Sequence, residues 1–347
     1  MEITPETSIQ PISSSQIMPN GPDESTLWQR DLQNAFRNVG HLLGYLEIGP
    51  DLETEFDPKF PIRVPLSFAQ KMGKGNIHDP LLKQVLPIKK ESLNLPGFVP
   101  DAVGDSAAHK APGLLHKYGN RALMLPTSQC AVHCRYCFRK EFEYSELPRQ
   151  ESDWNEAFQY LAAHSEINEV ILSGGDPLSL SDAKLNRLCG RLMQNKSIQT
   201  LRWHTRYPIV LPSRINSELL DLVASITKRI SLVIVVHANH PNEIGDDVRE
   251  GLASLRKTGA TLLNQSVLLK GVNDSSETLA ELSRRLFQAG VLPYYLSQLD
   301  RVSGSAHFEV PIQEGLQIVE ALRKQVQGYL VPRYVQEIAG GLFKEPL

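Results

Sequence analysis

Three cysteines stand close together near the middle of the chain, in the segment CAVHCRYCFRK at residues 130–140. Three residues separate Cys130 from Cys134, and two residues separate Cys134 from Cys137. The segment follows a short apolar run, 121–126, that has the pattern of a strand. A loop at the end of a strand would bring the three thiols together, and thiolates are the ligands that zinc, copper(I) and iron–sulfur clusters prefer. The spacing therefore predicts a metal site.

The number of cysteines limits the kind of metal site. Structural zinc takes four ligands in tetrahedral geometry, usually from two paired Cys-x-x-Cys units. The sequence has no second pair, and His133 is poorly placed as a fourth ligand. A four-iron cluster normally has four cysteines, so three cysteines would leave one iron open to bind another molecule. A cluster with an open iron is favoured, and a zinc site or three reduced thiols without metal are the alternatives.

The spacing Cys-x3-Cys-x2-Cys, with the aromatic Tyr136 just before the last cysteine, resembles the radical S-adenosylmethionine superfamily. The stretches CRYCFRKEF and PGLLHKYGNRALM are similar to the lysine 2,3-aminomutase family, and this resemblance extends from about residue 60 to the C-terminus. It implies that Cys130, Cys134 and Cys137 hold a [4Fe-4S] cluster whose open iron binds S-adenosylmethionine. It also implies a second cofactor, pyridoxal 5′-phosphate.

Several residues match positions that the family uses for S-adenosylmethionine. The segment SGGDP at 173–177 reads by itself as a strand-to-helix turn, but it resembles the Gly-Gly-acid motif that meets the amino group of this cofactor. His204 and His237 end two predicted strands, and histidines at such positions are more often structural. The resemblance assigns the following residues to this cofactor: Tyr136, Gly174, Gly175, Asp176, His237 and Gln265.

The resemblance also implies a site for an amino-acid substrate with a basic side chain. Arg139 matches the arginine that binds the substrate carboxylate, and its planar guanidinium suits such a bidentate contact. Asp300 and Glu337 match two acids that bind the distal ammonium of lysine. A neutral side chain would leave the two carboxylates buried and repelling each other. Glu337 is one methylene longer than the aspartate that is more usual there, and Ser297 stands where the family often has histidine.

Lys344 is the fourth residue from the end of the sequence, where a lysine is ordinarily a hydrated charge. Its context, Gly340-Gly341 followed by Lys-Glu-Pro-Leu, resembles the segment whose lysine forms the Schiff base with pyridoxal phosphate. Lys117, Tyr118 and Arg121 match a group of residues near the same cofactor. Cys189, in a segment of helical periodicity, is interpreted as a core residue.

The elements that would position these residues alternate between strand and helix. Such alternation, at intervals of roughly 30 residues, indicates an α/β fold that is either a doubly wound sheet or a barrel. Both architectures place ligands at the carboxyl ends of the strands, and the family resemblance implies an incomplete (β/α)6 barrel. The predicted strands are 121–125, 169–172, 201–204, 230–236, 261–269 and 292–299.

Four regions are predicted along the chain. They are a flexible N-terminal tail at 1–25, a helical and loop region at 26–115, the partial barrel at 116–330, and a C-terminal segment at 331–347 that carries the pyridoxal-phosphate lysine. The second region is expected to begin with a helix from Thr26 to about Ile48, because Leu32, Phe36 and Val39 share a face there.

Composition excludes several functional classes. The net charge is −3, and acids and bases are interspersed, which argues against nucleic-acid binding. No stretch approaches 18 consecutive apolar residues, and the N-terminus lacks a signal pattern, so we expect no membrane association. Clustered cysteines fit a reducing compartment. We therefore expect a cytoplasmic globular protein, for which a homo-oligomer is left open.

These observations predict an isomerase that converts α-lysine into β-lysine, with an electron donor such as flavodoxin or ferredoxin. The sequence ends three residues after Lys344, and so resembles a shorter branch that supplies β-lysine for modification of elongation factor P. One alternative is a 2,3-aminomutase for another amino acid such as glutamate, although Asp300 and Glu337 would repel a distal carboxylate. A second alternative is a non-catalytic iron–sulfur or zinc protein.

Overall fold

The computed structural model describes residues 24–49, 54, 60–144, 147–148 and 150–347. The predicted tail at 1–25 lies outside these residues except for its last two, which belong to the first helix. Within the described residues, no helix has both the length and the apolar character that crossing a bilayer requires.

A ten-stranded sheet runs through the molecule, and each strand lies beside its neighbours in the chain. Strands β3 to β9 are parallel, whereas β1 and β2 at one edge and β10 at the other add antiparallel pairs. The strands are β1 (His109–Ala111), β2 (Leu114–Tyr118), β3 (Arg121–Met124), β4 (Glu169–Leu172), β5 (Thr200–Thr205), β6 (Ser231–Val236), β7 (Thr261–Val267), β8 (Leu292–Ser297), β9 (Arg333–Gln336) and β10 (Glu345–Pro346).

Helices connect the parallel strands and cover one face of the sheet. The three crossover helices α6, α8 and α10 each begin at a side-chain cap, provided by Ser181, Asn216 and Ser275. The helices are α1 (Glu24–Gln33), α2 (Val39–Tyr45), α3 (Leu66–Ala69), α4 (Pro80–Lys83), α5 (Asn155–Ala163), α6 (Asp182–Leu192), α7 (Tyr207–Val210), α8 (Ser217–Thr227), α9 (Asp246–Lys257), α10 (Ser276–Gln288) and α11 (Ile312–Arg323).

The strand order decides between the two architectures that the sequence left open. Parallel crossovers are right-handed, so a sheet whose strands follow chain order keeps its helices on one face and curls around the other. A doubly wound sheet would reverse its direction at a switch point. The edge strands β1 and β10 are not paired with each other, so the described residues form an open barrel. The predicted incomplete α/β barrel is confirmed, and β9 adds a parallel strand after α11 that was not predicted.

Alternation along the strands directs polar side chains into the barrel. In β5, Leu201 and Trp203 are fully buried in the core between sheet and helices. Because successive side chains point to opposite faces of a strand, Arg202 and His204 project from the interior face. The barrel interior is therefore lined partly by charged and polar residues near the carboxyl ends of the strands.

The helix predicted from Thr26 to Ile48 is wrong in one respect, because it is divided into α1 and α2. Between them, Phe36 leaves the helical conformation and exchanges two backbone hydrogen bonds with Val64, at 2.8 and 3.0 Å. A new helix then begins at Asn38, whose side chain accepts a hydrogen bond from the backbone of His41. Long-range backbone pairing thus overrides a continuous helical periodicity.

Candidate active site

The cysteine loop follows β3 and is anchored by the N-terminal region. Arg63 donates from Nη1 to the carbonyl of Cys130 at 2.9 Å, and the backbone N–H of His133 donates to the carbonyl of Arg63 at 3.1 Å. Arg135 is buried and binds both carboxylate oxygens of Glu91 through Nε and Nη2, at 2.6 to 3.0 Å. Contacts outside the cysteines therefore fix the course of the loop.

The three thiols are near enough for their charges to interact. Burial raises the pKa of Cys130 well above its ordinary value, and the negative charges of Asp176 and Cys137 add to this effect. Burial also raises the pKa of Cys137 to about 11, with a contribution from Cys134. Cys130 and Cys137 therefore stay protonated near neutral pH unless a metal centre stabilises their thiolates.

These donors fit an iron–sulfur cluster better than a closed zinc site. No group of three or more His, Cys, Asp or Glu side chains in the described part of the chain is arranged to hold a single metal ion. His133 is turned towards the N-terminal region, where its Nδ1 lies 2.6 Å from the carbonyl of Pro61 and its ring stacks on Phe60. The loop supplies three soft donors only, which leaves one position of a four-iron cluster open.

A buried polar network surrounds Arg206, which follows β5. Its Nη1 donates to Cys134 Sγ at 2.6 Å and to the hydroxyl of Tyr136 at 2.8 Å. Its Nη2 donates to Gln84 Oε1 at 2.7 Å and to Glu243 Oε2 at 3.0 Å. Glu243 is 0% exposed and also accepts a hydrogen bond from Gln84 at 3.1 Å. The network pairs a buried acid and places a positive charge beside the cysteine loop.

Tyr136 and His237, both predicted to contact S-adenosylmethionine, lie against each other. The Tyr136 hydroxyl is 2.9 Å from His237 Nε2, and the two rings stack with centroids 5.7 Å apart. Asn239 donates to the same hydroxyl at 2.7 Å. Burial and the charge of Arg206 lower the pKa of His237 to about 3, so its imidazole is neutral. The two residues border the cysteine loop, and their contact with the cofactor stays a prediction.

The glycines of the SGGDP segment pack directly on the start of the cysteine loop. Gly175 donates its backbone N–H to the carbonyl of Thr127 at 2.9 Å, and a Cβ at Gly175 would lie 2.4 Å from the carbonyl oxygen of Gln129. Gly174 has a φ of +101°, which side chains rarely permit. Glycine is therefore required here because two backbone segments touch. This requirement is independent of the predicted contact with S-adenosylmethionine.

The carboxylate of Asp176 is committed to hydrogen bonds within the protein. It accepts from the backbone of Arg206 at 2.6 Å, from the Thr205 hydroxyl at 2.8 Å and from the backbone of Leu178 at 3.0 Å. Burial raises its pKa to about 6, although these bonds oppose the rise. The side chain joins the ends of β4 and β5, so the predicted role in cofactor binding would fall to the backbone of this segment.

Arg139 is held by an acid that the sequence did not single out. Its Nε donates to Asp105 Oδ2 at 2.7 Å and its Nη1 to the Ser173 hydroxyl at 3.1 Å, while Lys117 Nζ lies 2.7 Å from Asp105 Oδ1. Burial alone would raise the pKa of Asp105, but Arg139 and Lys117 outweigh it and hold the pKa below its usual value. Among the described residues, Nη2 of Arg139 has no hydrogen-bond partner and is available to a ligand.

Glu337 and Lys344 form an ion pair at the opposite edge of the pocket. Lys344 Nζ lies 2.8 Å from Glu337 Oε2, and the Tyr118 hydroxyl donates to Oε1 at 2.6 Å. Burial alone would raise the pKa of Glu337, but Lys344 and Tyr118 hold it below its usual value. Burial and Glu337 raise the pKa of Tyr118. The predicted pyridoxal-phosphate lysine and a predicted substrate acid are thus in direct contact.

Asp300 is the acid of this pocket that lacks a partner. Its carboxylate makes no hydrogen bond or ion pair with the rest of the described chain, whereas Glu337 makes both. Burial raises the pKa of Asp300 to about 6, although the charge of Lys344 opposes this rise. Asp300 is half-buried, so a cationic ligand would gain from an acid that has no other counter-ion.

Other predicted residues line the barrel interior between these two edges. His204 Nε2 and Arg121 Nε are buried without a hydrogen-bond partner, and Gln265 is half-buried on β7. Burial and the nearby charges of Arg202 and Lys344 lower the pKa of His204 well below its ordinary value. By the alternation of the strands these side chains lie on the interior face of the barrel, and their individual ligand contacts stay predictions.

Asp105, Gln84 and Glu243 are functional candidates that sequence reasoning missed. Asp105 lies in the turn-rich segment DAVGDSAAHK, and Glu243 lies in a short turn after β6. Neither segment has a periodicity or motif that marks an acid as buried. Only the packing of distant segments reveals that each acid neutralises an arginine in the site.

Comparison with known proteins agrees with this arrangement. Residues 124–283 match the model of the Radical SAM superfamily. An L-lysine 2,3-aminomutase from Escherichia coli is 49% identical over 288 residues, which is 83% of this chain and 83% of the relative. One from Haemophilus influenzae is 44% identical over 94% of this chain and 97% of its own length. One from Clostridium subterminale is 31% identical over 92% of this chain and 77% of its own length.

Proposed function

Because the chain belongs to the L-lysine 2,3-aminomutase family of radical SAM enzymes, we propose that it converts α-lysine into β-lysine. The amino group would move from carbon 2 to carbon 3 of the substrate. The observation that carries this proposal is the convergence, in one barrel, of the cysteine loop, the partly unbonded Arg139, the unpaired Asp300 and Lys344. The protein is accordingly an isomerase.

The residues present suit the cofactors of such an enzyme. Cys130, Cys134 and Cys137 would hold the [4Fe-4S] cluster, and Lys344 would hold pyridoxal 5′-phosphate. When bound, the cluster and S-adenosylmethionine supply the radical that takes hydrogen from the substrate, and pyridoxal phosphate supplies the conjugated system that stabilises the rearranging substrate. The protein's part is to orient the amino acid and exclude water from it.

The charges of the pocket support lysine rather than glutamate as the substrate. Nη2 of Arg139 is open to the substrate carboxylate, and an arginine fork suits this group. Asp300 is the open counter-ion for a distal ammonium. A glutamate would bring its distal carboxylate towards Asp300 and Glu337, where like charges repel.

The cellular setting is also part of the proposal. We place the enzyme in the cytoplasm, with a flavodoxin or ferredoxin as electron donor and with β-lysine destined for modification of elongation factor P. This end use follows the sequence resemblance to the branch that supplies β-lysine for that modification. Unchanged modification of elongation factor P in a gene-deletion strain would contradict it.

Anaerobic assay with labelled α-lysine tests the reaction itself. The reconstituted protein, with S-adenosylmethionine, pyridoxal phosphate and a reductant, should form β-lysine, and labelled α-glutamate should give no product. The Lys344→Ala variant should keep the visible absorption of the cluster but lose bound pyridoxal phosphate and product. If the native protein binds both cofactors and forms no β-lysine, the proposed function is wrong.

A further inference from the structure

The pairing of the last two strands places Lys344 beside Glu337. In the antiparallel ribbon of β9 and β10, Glu345 lies opposite Gln336 and Pro346 lies opposite Val335. The next position in this register sets Lys344 opposite Glu337. Side chains at directly opposed positions of antiparallel strands are neighbours, so the ion pair follows from the strand register and not from a chance side-chain conformation.

Both oxygens of the Glu337 carboxylate are occupied by groups of the protein. Oε2 binds Lys344 Nζ at 2.8 Å, while Oε1 accepts from the Tyr118 hydroxyl at 2.6 Å and lies 3.8 Å from Lys117 Nζ. The side chain of Glu337 is only 9% exposed. A ligand ammonium therefore cannot reach this carboxylate without displacing one of these partners.

Lys344 is the partner that a lysine substrate would displace. The side chain of Lys344 and the distal end of free lysine carry the same primary ammonium on the same four-carbon stem. A further ammonium at this carboxylate would be repelled by those of Lys344 at 2.8 Å and Lys117 at 3.8 Å, because a single negative charge cannot neutralise all of them in a poorly screened site. Lys344 and substrate should therefore compete for Glu337.

We propose that Glu337 is a shared counter-ion, which positions Lys344 in the cofactor-free protein and accepts the substrate's distal ammonium only after Lys344 is withdrawn. This inference rests on the proposed function, because it takes lysine as the substrate and Lys344 as the residue that holds pyridoxal phosphate. Asp300, which has no partner, is open to the substrate throughout. Engagement of Lys344 by the cofactor thus converts a site with one available acid into a site with two.

Lysine binding to the full-length protein without pyridoxal phosphate tests the competition. Isothermal titration calorimetry would compare the native protein, Lys344→Met and the matched Lys344→Arg variant, which keeps a cation. Removing the competing charge in Lys344→Met should tighten lysine binding about tenfold, whereas Lys344→Arg should leave it weak. The gain should disappear in the double variant Lys344→Met with Glu337→Gln. Norleucine, which has the same length but no distal amine, should bind all four proteins alike.

Equal lysine affinities for Lys344→Met and Lys344→Arg would overturn the inference, and so would a gain that persists in the double variant. Iron content should match among the variants. The melting temperature of Lys344→Met should stay above the titration temperature although losing the pair with Glu337 lowers it, and Lys344→Gln provides a second uncharged side chain if the methionine variant fails to fold. The result is separable from the proposed function. Formation of β-lysine by the native enzyme with no competition at Glu337 would remove this inference alone.

Discussion

The two ends of the pocket differ in how their acidic side chains are paired. At the cysteine loop, Glu243 is bound by Arg206 Nη2 and by Gln84, and Arg206 Nη1 donates to Tyr136, although Arg206 Nε has no partner among the described residues. At the lysine end, the carboxylate of Asp300 has no partner among the described residues. Ser297 Oγ and His204 Nε2 are buried there without a hydrogen bond.

This difference separates residues that stabilise the structure of the site from residues that are available to bind a ligand. Most buried polar groups in proteins are hydrogen-bonded, so each unsatisfied one requires an explanation. Ser297 Oγ and His204 Nε2, which lack a partner in the described part of the chain as Asp300 does, are the groups that a polar ligand would pair with. Substitutions at the paired end should therefore lower the free energy of unfolding, and substitutions at the unpaired end should weaken ligand binding.

Arg206→Gln should have the largest effect on stability. It leaves the fully buried Glu243 without its cation, and breaking a buried ion pair costs about 3–5 kcal/mol. The free energy of unfolding from urea titration should fall by this amount, and iron content after reconstitution should fall with it. The matched control Arg301→Gln breaks an exposed pair with Glu309 and should cost less than about 1 kcal/mol. Equal losses in both variants would remove the distinction between the two ends.

Asp300→Asn should weaken lysine binding without harming the unliganded fold. Losing one partner of a buried charge pair costs about 2 kcal/mol or more, which raises the lysine KM about 30-fold or more. Because the pKa of Asp300 is raised from 3.8 to about 6 in the folded protein, its contribution to stability is greatest below pH 4 and is lost as the pH rises through 6.

The melting temperature, measured without ligand as a function of pH, should show this loss of stability. Asp300→Asn should match the native protein at pH 4 and become the more stable of the two by pH 7, since the amide never ionises. Lysine affinity of the native enzyme should decline as the pH falls below 6. If the difference in melting temperature between the variant and the native protein stays constant from pH 4 to pH 7, Asp300 already has a partner.

Ser297→Ala should have the smallest effect. Its hydroxyl is buried and unpaired, so removing it should change the free energy of unfolding by less than about 1 kcal/mol or increase it. The matched control is Ser266→Ala, because the Ser266 hydroxyl donates to the carbonyl of Ala238 at 2.7 Å and accepts from Asn264 at 2.8 Å. That variant should lose about 1–3 kcal/mol. Similar losses in the two serine variants would mean that the Ser297 hydroxyl is satisfied.

The local sequence pattern was sufficient to predict those elements of the fold that are determined by residues close together in the chain. The six predicted parallel strands exist because short apolar runs between helical segments carry that signal, as in the almost wholly apolar β6. The strand β9 (RYVQ) was not predicted, since it lacks the continuous apolar run that marks the equally short β4 (EVIL). The ribbon of β9 and β10 depends on residues that meet only after the rest of the sheet has formed.

The residues of the site also fall into those that the sequence could identify and those that it could not. The cysteine loop has a spacing that marks it, and Lys344, Arg139 and Asp300 could be named through the family resemblance. Asp105 and Glu243 could not, because an acid that neutralises an arginine 34 or 37 residues away has no local signature. The partner of Glu337 was also hidden, because strand register and not sequence pattern brings Lys344 to it.

The strand order has a consequence for the way the molecule assembles. Because each parallel strand docks on the one made just before it, each closure spans a single crossover and the sheet can grow in the order of synthesis. The strands that carry the thiols and their arginine network are joined early, whereas the ribbon that brings Lys344 to the pocket is added last. Cluster assembly could therefore begin on a nascent chain whose aldehyde-binding lysine has not yet been made.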